Sequence, residues 1–546
     1  MLEQLISSRI HRSSQVHRSL KTRRLGRIGL LLLLSTAPLG SLASAATLAI
    51  GIQGEPASLD SARIGGSTWE NDVLGDLFEG LVTLDPAGQY IPGAASRWDV
   101  SNDGTVYTFH LREDADWSDG EPVIADDFVT AFRRLFDPAN GAVYASLFYS
   151  IRGAEALTRG EPDAPTLGVE ALDDKTLEIT LNQPTPYFPT LLAHIAASPV
   201  PSHLLDRYGN DWTQMDHIAT NGAFTPTSWV SHDHIAARKN PEFHAAGDVN
   251  LDGVDYYPVE DRSAGLQRFR AGGLDIVRDF SPDQYQWLQA NLPEATHLAP
   301  QLANYYFALN QRDGHPTADR RVRAALNLAI RRQVIAEQIM GGVVSPASGF
   351  VPQGVAHYDA QTMPGVEESQ DARLARAQTL LQDAGYGPEH PLELTLRYST
   401  TEANKRIAVA LAAMWQPLNV ETELVNAEGA VHYAELAAGN FDVGRASWVA
   451  DFDDASNFLG ILQSEAPKNY GGYRSPAFDA LMQQASRETD EDTRQQLLQQ
   501  AERQALSDYA VAPIYVDVSR NLVNPQLKGW EDNALNRHLS RWLSRE

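Results

Sequence analysis

Not one of the 546 residues is cysteine, so whatever this chain folds into is held by burial, hydrogen bonding and charge alone. Disulfide-stapled scaffolds, thiolate metal sites and thiol nucleophiles are excluded together. The chain is several domains' worth of sequence and 43% apolar, enough for at least one large core. Lys and Arg total 44 against 70 Asp and Glu, a net charge of −26. A protein that tracks phosphates needs basic surface, so nucleic acid is not an expected partner.

Most of the early positive charge sits in one place. Residues 1–27 carry Arg9, Arg12, Arg18, Lys21, Arg23, Arg24 and Arg27 against the single acid Glu3, residues 28–39 are almost wholly apolar, and Ala43, Ser44 and Ala45 follow. This order reads as a secretory signal cleaved after about Ala45, its apolar run too short to span a bilayer comfortably. Arg23 and Arg24 leave a twin-arginine route open beside general secretion. The remaining residues, 46–546, are net −32 and lack the cysteine that lipid attachment needs, so a soluble periplasmic protein is expected.

Hydrophobic periodicity gives an α/β chain with mixed sheets. Strands are predicted over 47–51, 106–111, 177–181, 392–398, 420–425 and 512–518, and helices over 71–82, 125–136, 372–384, 405–418 and 494–506. A longer helical region, 317–340, divides near Ile330 and runs into a Gly/Pro-rich loop over 341–354. Gly385 closes the 372–384 helix as a left-handed cap. The strand–helix–strand order over 392–425 predicts partly parallel pairing. Composition shows no repeat and no linker.

Few residues declare chemistry. His232 and His234, two apart in a probable strand, would face one side as a metal pair, although no third ligand is visible. Asp451, Asp453 and Asp454 could hold calcium or act as a glycosidase pair, but spacing does not separate facing carboxylates from solvated ones. Nucleophile-elbow, zincin, phosphate-loop and dinucleotide motifs are absent. Trp69, Tyr144, Tyr305, Tyr306, Trp448 and Tyr515 sit in or beside loop-like or strand-end segments, where rings often line a cleft; core packing is the plainer reading of each. Arg445 lies in a strand with buried-looking neighbours, and a buried guanidinium needs an acid, internal or brought by a ligand.

The run 95–128, with Trp98, Asp103-Gly104, Phe109-His110-Leu111-Arg112, Trp117-Ser118-Asp119-Gly120, Pro122, Ala125 and Asp127-Phe128, resembles the characteristic segment of the periplasmic oligopeptide-binding proteins of ABC importers. The likeness continues through 76–81, 220–224, 319–326, 441–451 and 473–479, in order along the chain, and is greatest to the oligopeptide and murein-peptide binders. It implies a two-lobed periplasmic binding protein with an inserted domain and hinge closure over the ligand. The implied partition is domain I over 46–77, 205–302 and 517–546, an inserted domain II over 78–204, and a second lobe, domain III, over 303–516. It also implies capture of a short peptide or peptide-like ligand, delivery to the permease subunits, a monomer, and neither cofactor nor catalytic residue, because the transporter spends the ATP.

By the same resemblance the ligand-binding set is Asp451, Val449, Ser447, Arg445, Trp448, Ala450, Tyr144, Gly65, Ser67, Tyr305, Asp517 and Asn404. Asp451 matches the aspartate that pairs with a ligand's amino terminus, Ser447, Val449 and the chain around Ala450 match a segment that pairs with ligand backbone, and Arg445 matches an arginine that meets a ligand carboxylate. Trp448 would buttress them. The chain departs from the pattern at Gly429 (a pocket tryptophan), Leu436 (a second arginine), Asn404 (a histidine), Gly65 (a glutamate) and Asp517 (an aromatic). A cysteine pair of some relatives falls on Ala303 and Val449. Because the family fold also holds opine, sugar and metal-complex binders, a different solute remains open, as does a secreted carboxylate-dependent hydrolase.

Overall fold

Alternating burial sets the first strand: Thr47–Ile52 hides Leu48, Ile50 and Ile52. In the computed structural model, which describes residues 47–545, this strand lies inside an eleven-stranded mixed sheet. The expected export leader lies outside the described residues. From edge to edge the sheet runs Val420–Ala427, Leu392–Ser399, Val443–Val449, Thr296–Leu309, Val511–Val523, Ile276–Arg278, Thr47–Ile52, Gly253–Pro258, His234–Lys239 and Phe224–Val230, with Ser345–Pro346 paired beside Val511–Val523.

Two long strands join the halves of this sheet. Thr296–Leu309 and Val511–Val523 pair antiparallel, with register breaks between Pro300 and Asn304 and between Tyr305 and Tyr306. Pro300 has no N–H to give, which favours an interruption there. Before the break Leu298 pairs with Arg520; beyond it the 303–309 stretch pairs with Val443–Val449. Alternate residues of this stretch feed opposite cores: Tyr306 and Ala308 one, Tyr305, Phe307 and Leu309 the other.

The 392–425 expectation holds in order and pairing, with the helix beginning and ending three residues earlier than the expected 405–418. Leu392–Ser399 pairs in parallel with Val420–Ala427, and helix Glu402–Trp415 makes the crossover. A separate antiparallel sheet, ordered Ala95–Val100, Val106–Leu111, Thr176–Thr180 and Val169–Asp173, packs under helix Ala125–Phe136. Asp127 fixes the start of that helix, accepting from Ile124 N at 3.0 Å and Trp117 Nε1 at 2.9 Å. Among the described residues no helix is long and apolar enough to cross a membrane.

Three expectations are corrected. The helix predicted over 71–82 is Thr68–Leu77, and Val82–Leu84 is a strand. Leu81 and Val82 continue the apolar pattern because both are buried, but Phe78 turns extended and the backbone packs too tightly for a further turn: a Cβ on Gly80 would sit 2.6 Å from Leu192 O. His232 and His234 do not share a strand face, because His232 has φ 61° in the turn before His234–Lys239. No group of three or more metal-ligating side chains occurs among the described residues. Finally, Tyr305, Tyr306 and Tyr515 lie inside the two long strands and not at their ends, buried as the core reading of each has it, whereas Trp448 does stand near the end of its strand, Val443–Val449.

Candidate binding site

The Val443–Val449 strand has one open edge. On one side it pairs with the 296–309 strand from Val443 to Val449; on the other it meets Leu392–Ser399 only at Val443 and Gly444. Ala450 N donates to Leu302 O at 2.8 Å, so even-numbered backbone groups face that neighbour and, by alternation, those of Ser447 and Val449 face the open side. The Arg445 carbonyl on the same side is taken by His432 Nε2 at 2.8 Å. Ser447 and Val449 therefore offer donors and acceptors to an added strand. Trp448 and Ala450 point the other way into the core, where Trp448 Nε1 donates to Asn457 Oδ1 at 2.6 Å.

Opposite charges stand at the ends of this edge. At one end Arg445 Nη1 donates to Tyr433 Oη at 2.9 Å, its guanidinium lies 4.7 Å from the Tyr305 ring centre, and its buried Nε has no hydrogen-bond partner. No carboxylate pairs with it among the described residues. Of the two sources of acid expected for it, the internal one is thus absent among the described residues, and tyrosines stand around the guanidinium. Tyr305 stacks on Tyr515 at 4.6 Å and donates to Asn404 Oδ1 at 3.0 Å, while Asn404 Nδ2 donates to Ser399 O and Oγ. Asp517 is committed to Arg520 at 2.8 Å.

At the other end is Asp451, whose carboxylate accepts no hydrogen bond among the described residues. Burial raises its pKa to about 6, against the pull of Arg537 and Lys468. Burial, and next the nearby Asp451, push the Tyr144 phenol up. Tyr144 in turn lies over Gly66 (φ 84°), where a Cβ would collide with the Tyr144 ring and its Oη. Gly65 and Ser67 flank that glycine, and both donate backbone N–H to Glu70, at 3.1 and 2.9 Å. Ser67 also caps helix Thr68–Leu77 with its hydroxyl, so its side chain is used in building the loop.

The other two acids of this stretch are engaged elsewhere. Asp453 Oδ1 accepts from Ala356 N at 2.9 Å, and Asp454 forms a bidentate pair with Arg494 at 2.7 and 2.8 Å. The same stretch meets the 78–204 region: Phe452 stacks on Tyr187 with rings 5.2 Å apart, Arg494 lies 5.0 Å from the same ring, and Asp453 N donates to Tyr90 Oη at 3.1 Å. Gln183 Nε2 adds a bond to Ser486 Oγ at 3.0 Å. Sequence reasoning missed Tyr433, Tyr187 and Arg537, which no motif marks and which reach the site only through the fold.

Two predictions arise here. Gly66→Ala should lose about 1–3 kcal/mol of stability, from its positive φ and from displacing Tyr144, as read by thermal denaturation, and should weaken ligand binding as well. An amine-bearing ligand needs Asp451 ionised. Because its unliganded pKa is raised, affinity should be full above about pH 6 and fall by up to about tenfold per unit below it, as calorimetry from pH 8 to 4.5 would show.

Comparison with known proteins shows the family to which the chain belongs. Residues 89–470 match the model of the bacterial extracellular solute-binding proteins, family 5. The chain is 38% identical over 485 residues to the periplasmic murein peptide-binding protein of Escherichia coli, covering 88% of this chain and 90% of that one. It is 36% identical over 508 residues to the periplasmic oligopeptide-binding protein of Escherichia coli, covering 91% and 93%. The solved structure of the Escherichia coli murein tripeptide binding protein superposes with a TM-score of 0.82 at 37% identity, covering 92% of this chain and 99% of that one.

Proposed function

Because this chain belongs to family 5 of the bacterial extracellular solute-binding proteins, we propose that it captures short peptides, or peptide-like ligands, along the open edge at Ser447 and Val449 and delivers them to the permease of an ABC importer. One observation carries the reading: an open strand edge ends in a carboxylate, Asp451, that accepts no hydrogen bond among the described residues, and begins at a guanidinium, Arg445, that has no carboxylate partner among them. An extended peptide with free ends is the complement of that arrangement. Its amino group would meet Asp451, its carboxylate would point toward Arg445, and its backbone would run antiparallel to the 443–449 strand. Main-chain pairing reads any sequence and leaves side chains to pockets and water.

Closure follows the same reading. The register break at Pro300–Asn304, opposite Val516 and Val518, supports hinges near 302/303 and 516/517 and the partition into 46–77 with 205–302 and 517–546, an inserted 78–204, and 303–516. The Tyr187–Phe452 stack and the Gln183–Ser486 bond would then form on closing and bias the closed state when ligand is present. The protein acts as a soluble periplasmic monomer, exported by the leader over 1–45, and performs no chemistry of its own. Two of the three local acids are already committed, which disfavours a carboxylate-dependent hydrolase.

Thermal denaturation with matched peptides tests this. A random tripeptide library with free amino ends should raise the melting temperature, since a ligand that binds only the native state stabilises it by mass action. The same library acetylated at its amino ends should not. Equal shifts from both would remove Asp451 from the account.

A further inference from the structure

We propose that Arg537 is a positioning residue for amine capture: from the carboxyl-terminal tail its guanidinium donates to the main-chain carbonyls of Ala193 and Asp451, fixing Asp451 against the two other stretches of chain that wall it. The inference rests on reading Asp451 as the partner of the ligand's amino group. Arg537 Nη1 lies 3.5 Å from Ala193 O and Nη2 3.4 Å from Asp451 O. Three remote parts of the chain thus meet at one side chain.

The tail that carries it is held firmly. Asn533 accepts from Arg537 N at 3.2 Å and donates to Arg537 O at 2.8 Å and to Pro86 O at 3.2 Å. Arg278 donates to Asn536 O at 2.6 Å, and Ser540 N to Asp76 at 2.8 Å. Arg537 is therefore delivered to the site by a loop with little freedom.

Its chemistry suits the place. A planar guanidinium can serve two carbonyls at once, which an ammonium does less well. Arg537 forms no ion pair among the described residues, so the Asp451 oxygens stay open while a positive charge stands beside them. That charge opposes the effect of burial on Asp451, and Lys468 adds to it; Tyr144 also faces Asp451. Around Arg537 itself lie Asp72, Tyr90, Tyr144 and His194, the last held neutral by burial. A direct Arg537–Asp451 ion pair would compete with the incoming amine, and the geometry avoids it.

The test compares wild type, Arg537→Gln and Arg537→Lys, scoring by native mass spectrometry the fraction of protein that carries mass from a free-amine random tripeptide library at pH 5, 6, 7 and 8. Arg537→Gln should bind roughly tenfold or more weakly at pH 7, and the pH at which binding is half lost should move up. Arg537→Lys should keep the wild-type pH midpoint while still binding more weakly, separating charge from the two-carbonyl bridge. Loss of binding in Arg537→Gln with an unmoved midpoint would mark a merely structural residue and overturn the proposal, as would wild-type behaviour in either variant. Should Arg537→Gln not fold, Arg537→Lys decides alone: binding equal to wild type at every pH overturns the bridge. A wild type that takes up no peptide at any pH overturns the amine reading itself and this inference with it, an outcome distinct from the others.

Discussion

Asp451→Asn is expected to cost about 2–5 kcal/mol of peptide binding, a loss of roughly thirtyfold to several thousandfold, while leaving the fold intact. Asparagine keeps the shape and removes the charge, so the ligand ammonium enters a water-excluded site with no counter-ion. Stability without ligand should move the opposite way. A carboxyl whose folded-state pKa is raised to about 6 is ionised at neutral pH against the preference of its surroundings, and that penalty is relieved only as pH falls through 6 toward the unfolded value. At pH 7.5 the unliganded Asp451→Asn protein should therefore be more stable than wild type, by on the order of 1–3 kcal/mol. Calorimetric titration and thermal denaturation of the same two proteins check both signs. Weaker binding together with lower stability would mean that Asp451 is structural.

The second large effect concerns Arg494 and Asp454. Their side chains are 2% and 8% exposed and joined by two short bonds, so removing either partner leaves a buried charge uncompensated. Asp454→Ala or Arg494→Ala should each cost about 3–5 kcal/mol of stability by chemical denaturation. The double variant Asp454→Leu with Arg494→Met should lose much less than the sum, because no charge is then stranded. Arg494 also lies on the Tyr187 ring, so the single variants should loosen the contact between the 78–204 region and the stretch after Val449. Equal losses in single and double variants would show that packing, and not charge pairing, is what the two residues supply.

Local signals survived into the structure where they had a local cause. Helix Ala125–Phe136 has its apolar spacing and its Asp127 cap within a few residues, Gly385 adopts φ 95° after the Gln370–Asp383 helix, and the 392–425 crossover follows from two short strands and one helix. The two long strands were not legible. Only 512–518 of Val511–Val523 reads as a strand, and Thr296–Leu309 does not stand out at all, because their pairing joins segments some two hundred residues apart and both faces are buried. The site divides in the same way. Asp451, Arg445, Ser447 and Val449 fall in one stretch that a family resemblance picks out. The partners that shape them do not: Tyr305 and Tyr515 reach Arg445 across the sheet, and Arg537 arrives from the tail. Ala303 and Val449, matched to a cysteine pair of relatives, are direct cross-strand neighbours, a proximity visible only once the register is known.

Native mass spectrometry of the freshly purified protein, followed by denaturation and identification of whatever is released, shows directly whether the cleft captures peptides. A closed cleft retains cargo through purification when dissociation is slow. The expected result is a ladder of bound masses that resolves, on release, into short peptides of varied sequence with free amino ends. A single non-peptide mass, or peptides with blocked amino ends, would contradict it.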